Sequence, residues 1–440
     1  MEIKVFKFGG ASVNSARGIQ NLLSILQQYR ENNILMVVSA MGKTTNALEE
    51  LLKFYMTDNA ISMVDAYHKI KNYHFDILYE IFPDRQNPVY SDVENLFDKL
   101  RGHLRKGHLT KDGKGEYTFE YDQIVSYGEL ISASIIHHFL HLNGIISSLY
   151  DARELIMTDS TFMDAKVDWN WTKKLIRSGI QKYFKSSLSG KIALTQGFIG
   201  GDHEGNTTTL GREGSDFTAA IFAFSLGIKE VTIWKDVPGV MNADPKWFKN
   251  AKKIDSLSFR EAIELAYYGA SIIHAKTIKP LENANITLMV RSFLEPGQPG
   301  TRIENMKEWT ISTPIYIRKQ NQVLISISPR DFSFIVEENL SQVFKILASH
   351  QVKVNVMQNS AISFSICVDN NHHALPLLLA EMQKNFIVRY NCDAELYTIR
   401  HYNPAAIRKI LKNRKVLLEQ KTRSTVHLVV IPESRQESHI

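Results

Sequence analysis

Cysteine is nearly missing from this chain: Cys367 and Cys392 are the only two in 440 residues. Two cysteines cannot build a disulfide framework or a cysteine metal cluster, and they suit a reducing cytosol. Neither stands in the setting of a nucleophile. No run approaches the roughly 18 consecutive apolar residues of a membrane-spanning helix. The N-terminus carries Glu2, Lys4 and Lys7 within one short apolar stretch, too brief and too charged for a signal peptide, so a cytoplasmic protein is expected. An excess of one charge is also lacking: 52 Lys and Arg against 46 Asp and Glu leave +6. That balance favours acidic small molecules and falls well short of a nucleic-acid binder. The basic run Arg408, Lys409, Lys412, Arg414 and Lys415 reads as one solvated helix face. Two nucleotide signatures are absent as well. No G-x-G-x-x-G follows a strand, and Gly42-Lys43-Thr44 ends like a P-loop but has Val37 where the leading glycine belongs.

What is present is strand and helix in alternation. Ile3 to Phe8 reads as a strand, and Ile19, Leu22, Leu23, Leu26 and Tyr29 follow at helical spacing. Ile34 to Val38 is a second buried strand with another helix from about Thr45, so the chain opens as a βαβα unit with a parallel sheet. Residues 59–108 read as a helical excursion. The alternation resumes through strands at Ile145 to Tyr150, Lys191 to Gln196 and Val231 to Trp234. The P-G-Q-P-G-T run up to Thr301 breaks the pattern and marks a domain boundary. Beyond it the order strand, helix, strand, strand, helix, strand gives a βαββαβ unit, and Ala394 to Ile431 repeat that order in abbreviated form. The expected division is residues 1–300, 313–391 and 394–432.

The chemistry gathers at strand ends, where ligands sit in open α/β sheets. Lys7-Phe8-Gly9-Gly10-Ala11-Ser12 leaves the first strand with a lysine and two glycines, a pairing that lets backbone N–H groups and a point charge approach phosphates. Leu210 to Asp216, L-G-R-E-G-S-D, leads into the apolar helix Phe217 to Leu226, which Gly227 should stop. The start of that helix favours an anion, and Arg212 adds a planar fork suited to a carboxylate. Glu129, in S-Y-G-E-L-I-S-A, suits a substrate ammonium. With Ser39, Thr45, Ser215, Asp216, Lys235, Asp236 and Lys246, the inventory fits phosphoryl transfer between two anions, with Mg²⁺ bridging the phosphates. His137 and His141 share a helix face, which is read as polar rather than metal-binding.

Several of these stretches together resemble one family, the aspartate kinases of the amino-acid kinase superfamily, over nearly the whole chain. They are K-F-G-G-A-S-V at 7–13, V-S-A with T-N at 45–46, G-E-L-I-S-A at 128–133, and L-G-R-E-G-S-D-F-T-A-A at 210–220. I-W-K-D-V-P-G-V at 233–240, A-D-P-K at 243–246 and Y-G-A-S-I-I-H-A-K-T at 268–277 complete the set. The resemblance implies an αβα sandwich with a mostly parallel central sheet, followed by α+β ferredoxin-like ACT modules. It implies transfer of the ATP γ-phosphate to the β-carboxylate of L-aspartate, with Mg²⁺, by a homodimer or larger homo-oligomer. By that resemblance Lys7 stabilises the transferring group, Gly9 and Gly10 lie against the phosphates, and Asp216 orients Lys7. Glu129 would take the substrate amine and Arg212 its α-carboxylate, with Ser39, Thr45 and Ser215 around it. Ser12, Lys235, Asp236, Met241, Lys246, Ser271 and Lys276 would face the nucleotide. This chain departs from many relatives in having Lys235 for Thr, Lys246 for Arg, Ser271 for Lys and Ala275 for Pro. A kinase of a glutamate-like carboxylate and a catalytically weak ACT-type sensor are the rival readings. Lysine-inhibited relatives have Gly, Asp and Ser-Glu where this chain has Glu338, Asn355 and Ser360-Ala361, which takes a carboxylate partner away from an effector ammonium.

Overall fold

The computed structural model describes residues 3–107, 116–185, 190–270, 273–306, 313–331 and 333–433. The chain divides into two units: Met1–Val240 with Lys253–Ile263 and Ser271–Lys307, and Met241–Lys252 with Glu264–Ala270 and Glu308–Ile440.

In the first unit the strands are β1 (Ile3–Phe8), β2 (Asn33–Val38), β3 (Ser147–Tyr150), β4 (Ile192–Gln196), β5 (Ile199–Gly201), β6 (Thr207–Thr209), β7 (Glu230–Lys235), β8 (Ser256–Ser258), β9 (Thr287–Ser292) and β10 (Thr301–Glu304). Eight of them form one sheet in the order β3-β4-β2-β1-β7-β9-β10-β8, with β5 and β6 as a separate hairpin. From β3 to β9 every pairing is parallel; only β10 runs against β9. Both faces of a parallel sheet are covered by crossover helices, so its central strands are apolar throughout, as the fully buried β2 (NILMVV) shows.

Side chains alternate between the faces. Phe6, Phe8, Ile34, Met36, Val38, Ile192 and Leu194 join one core with the helices Ala16–Gln27, Thr44–Met56, Ala60–Ile81, Pro88–Lys106 and Tyr127–Leu142. Lys7 therefore points to the opposite face, where the helix Gly214–Leu226 packs on β1 and β7. That helix is apolar all round and almost wholly buried, as expected of one enclosed on every side. Asn59 and Asn87 cap the two long helices of the excursion, accepting from Ser62 N–H and Val89 N–H, and Pro88 sits at the first helical position.

In the second unit β11 (Ile315–Pro329), β12 (Val354–Asn359), β13 (Phe364–Asp369), β14 (Phe386–Arg400), β15 (Arg414–Lys421) and β16 (Thr425–Pro432) make one antiparallel sheet, ordered β12-β13-β11-β14-β16-β15. Here the structure differs from the sequence-based division. The boundary drawn at 391 to 394 falls inside β14, which is continuous, and the abbreviated module gains the start of β11. Ile315 to Lys319 pair with Leu396 to Arg400, whereas Leu324 to Pro329 pair with Phe386 to Asn391. The register shifts between these halves, and Asn321 and Asp393 there take left-handed backbone angles, φ 54° and 55°. Residues 241–252 also belong to this unit rather than to the first. Phe248 stacks on Tyr316 at 4.7 Å, Trp247 meets Tyr397 edge-on at 5.8 Å, and Asn242 Nδ2 donates to the Pro314 carbonyl.

Candidate active site

The strand order reverses at β1, with β2 on one side and β7 on the other. Such a switch point leaves a crevice at the strand carboxyl ends. Lys7 stands at it. Its Nζ lies 2.7 Å from Asp216 Oδ1, and Lys235, ending β7, brings its Nζ to 3.5 Å from Oδ2. Asp216 sits in the first turn of Gly214–Leu226 and is buried. Burial alone would raise its carboxyl, but the Lys7 and Lys235 ammonium groups win and hold it below the usual carboxylate range.

The glycine loop folds onto the loop after β2. A Cβ on Gly10 would stand 2.5 Å from the Ala40 carbonyl oxygen, so only glycine fits, and Gly42 N–H donates to the Gly10 carbonyl. At Gly9 a Cβ would lie 3.5 Å from Lys7 Nζ. Its absence keeps the space beside the ammonium clear. Ser12 is buried, its hydroxyl without a hydrogen-bond partner among the described residues.

Glu129 is 3% exposed in the first turn of Tyr127–Leu142. Its Oε1 accepts from Ala40 N–H at 3.2 Å, while Oε2 is buried with no partner among the described residues. Desolvation pushes the carboxyl up to about 8, against the Ala40 N–H and the positive charge of Lys7, which pull it down. A buried carboxylate with one oxygen unsatisfied is a receptor for a cation. Ser39 leaves β2, its N–H donating to the Phe8 carbonyl, and Thr45 lies half-buried in the first turn of Thr44–Met56. Both belong to the segment that carries Ala40.

The loop before Asp216 exposes Arg212, turns at Glu213 with φ 55°, and buries Ser215 against Gly197, where a Cβ would come within 2.5 Å of that of Ser215. Asp236 is exposed just past β7. Lys276 is engaged elsewhere: its ammonium pairs with Asp164 and reaches the Leu210 carbonyl, which puts it at the Arg212 loop. Met241 and Lys246 fall in the second unit, and Ser271 lies outside the described residues.

Sequence reasoning missed three supports. Ala40 acts through its backbone, which carries no sequence signal. Gly197 could have been suspected as a glycine at the end of β4. Asp122, also buried, accepts from Met163 N–H, Thr209 N–H and the Thr209 hydroxyl, and so pins the strand that delivers Arg212. His137 and His141 bond to Ser147, and among the described residues no group of three or more His, Cys, Asp or Glu could hold a metal.

A lysine held by a buried carboxylate beside a glycine loop, and facing an unsatisfied carboxylate, can bind a phosphoryl donor and a cationic, anionic acceptor together. Residues 2–292 match the profile of the Amino acid kinase family. The chain belongs to that family. Its relatives there include lysine-sensitive aspartokinase 3 of Escherichia coli (strain K12), 31% identical over 84% of this chain and 78% of that protein. Chloroplastic aspartokinase 1 of Arabidopsis thaliana is 32% identical over 83% of this chain, which spans 63% of the plant protein. Two solved structures of E. coli aspartokinase III, one with lysine and aspartate and one with aspartate and ADP, superpose with TM-scores of 0.78 and 0.77. Each is 25% identical and covers 98% of this chain and 96% of its own. Among the described residues no helix is long and apolar enough to cross a membrane.

Proposed function

We propose that this chain is an aspartate kinase, transferring the γ-phosphate of ATP to the β-carboxylate of L-aspartate to give 4-phospho-L-aspartate, the first step toward lysine, threonine and methionine. The observation that carries this reading is Glu129 Oε2, buried without a partner among the described residues and within electrostatic reach of Lys7. An α-amino acid brings the ammonium that completes it. Arg212 then takes the α-carboxylate, with Ser39, Thr45 and Ser215 fixing the backbone of the substrate. The β-carboxylate is already ionised at neutral pH, so its oxygen attacks the γ-phosphorus, the bond to the β,γ-bridging oxygen breaks, and ADP leaves without any proton transfer. Lys7, oriented by Asp216, offsets the charge on the transferring group.

Gly9, Gly10 and Ser12 would hold the phosphates, and Lys235 and Asp236 the remainder of the nucleotide; Lys276 reaches it only if its pairing with Asp164 opens. Mg²⁺ would offset charge on the β- and γ-phosphates, held mainly by those oxygens, as is usual for this ion. We place the enzyme in the cytosol as a homo-oligomer joined through the second unit. Asn355, where lysine-inhibited relatives have a carboxylate, has its amide spent on Gln322, Asp369 and Lys319. That supports a dimerisation role over lysine sensing there. The test is hydroxylamine trapping of the acyl phosphate with Mg-ATP and aspartate or glutamate, repeated with lysine. Trapped product with aspartate alone is expected; none with aspartate would sink the reading.

A further inference from the structure

Away from Lys7, the helices Thr44–Met56 and Ala60–Ile81 enclose a cavity of about 310 Å³, within the roughly 300–1,000 Å³ of small-molecule sites. Its floor is apolar, made by Ala47, Phe54, Ala66 and Ile70. Around the rim stand two cations, Lys43 and Lys69, and two anions, Glu50 and Asp65, all exposed. None of the four has an ion pair or a side-chain hydrogen bond among the described residues. Solvated charges are ordinary on helices. Uncompensated charges of both signs around one apolar floor are a match for a ligand that carries both charges and an apolar group.

We propose that this cavity binds a zwitterionic amino acid with an apolar side chain. Its carboxylate meets Lys43 and Lys69, its ammonium meets Glu50 and Asp65, and its side chain lies on the floor. The site is coupled to the substrate loop through its own wall. Lys43 and Thr44 line the cavity and lead directly into Thr45, and the Thr44 hydroxyl donates to the Met41 carbonyl at 2.6 Å. From the opposite wall the Tyr73 hydroxyl donates to the Asn14 carbonyl and crowds Gly42, where a Cβ would be 2.6 Å away. An occupant therefore stiffens the same stretch that gives the Ala40 N–H to Glu129. It acts on aspartate affinity rather than on phosphoryl transfer.

The test is calorimetric titration of the full chain with L-leucine and L-methionine, with 4-methylpentanoate and 3-methylbutylamine as controls carrying one charge each. An amino acid is expected to give saturable heat and the controls none. Lys69→Ala and Asp65→Ala should each weaken binding about tenfold by removing a charged partner, and Ala66→Phe should abolish it by filling the floor, all three with basal turnover retained. No heat from either amino acid, or affinity unchanged in Lys69→Ala and Asp65→Ala, overturns the site. Under a saturating amino acid the KM for aspartate should shift at least about twofold with kcat unchanged; an unmoved KM overturns the coupling. The coupling rests on the aspartate reading, whereas the heats do not, so a chain that bound leucine but phosphorylated no aspartate would sink that reading and leave this site standing.

Discussion

At the scale of single residues, the site sets one buried carboxylate that is paired against one that is not. Asp216 has two lysines and stays ionised; Glu129 takes the Ala40 N–H on one oxygen, and its other oxygen has no partner among the described residues. Lys7→Ala removes the cation we propose beside the transferring group, and turnover should fall by about 10² or more. Steady-state kinetics check this, and near-normal turnover would take Lys7 out of the mechanism. For Glu129 the proton decides. Its folded pKa of about 8 lies above the ordinary carboxylate value, so the free enzyme holds it neutral at lower pH, and the KM for aspartate should fall as pH rises through about 8. In Glu129→Gln that dependence should vanish. The sign for stability is opposite. Between the ordinary value and 8 the folded state binds the extra proton, so Glu129 costs stability progressively as pH rises through that window. Glu129→Gln should therefore melt higher than the parent at pH 8 and like it near pH 4, a comparison for thermal denaturation at the two pH values.

At the scale of elements, two glycines do different work. Gly10 is required by packing, because a methyl would meet the Ala40 carbonyl at 2.5 Å. Gly10→Ala should cost about 1–3 kcal/mol through forced backbone shifts and, with the phosphates proposed on this loop, raise the KM for ATP. Gly227 is required by conformation, since it ends Gly214–Leu226 at φ 69° with open space around its Cβ position. Gly227→Ala should lose about 1 kcal/mol and leave kinetics unchanged, which separates the two causes. The helix stop at Gly227 and the strand at Ile3–Phe8 were legible because turn chemistry and periodicity lie within a few residues. The continuity of β14 was not. Its Asn391 to Ala394 stretch has the polar composition of a turn and a left-handed Asp393, and pairing with β11 on either side of that irregularity carries the strand through.

At the scale of the whole molecule, the chain leaves its catalytic unit and returns to it. Residues 241–252 carry Trp247 and Phe248 into the second unit, where Tyr316 and Tyr397 cover them. A fragment ending at residue 306 should therefore expose these aromatics, bind a hydrophobic dye and lose soluble yield. Dye fluorescence and sedimentation of that fragment beside the full chain check this, and a monodisperse fragment that binds no dye would show that the segment needs no cover.

By itself the sequence determined the α/β class, the glycine loop after β1 and the apolar helix that follows the Arg212 loop and ends at Gly227, because each is written in a short window of neighbours. Only the tertiary structure decided that Lys235 would join Lys7 on Asp216, that a backbone N–H of Ala40 would take one oxygen of Glu129 and leave the other without a partner among the described residues, and that Lys276 would turn to Asp164. Those outcomes depend on which distant strands and helices share a face, and on which buried groups are left without water, and neither is a property of any local stretch.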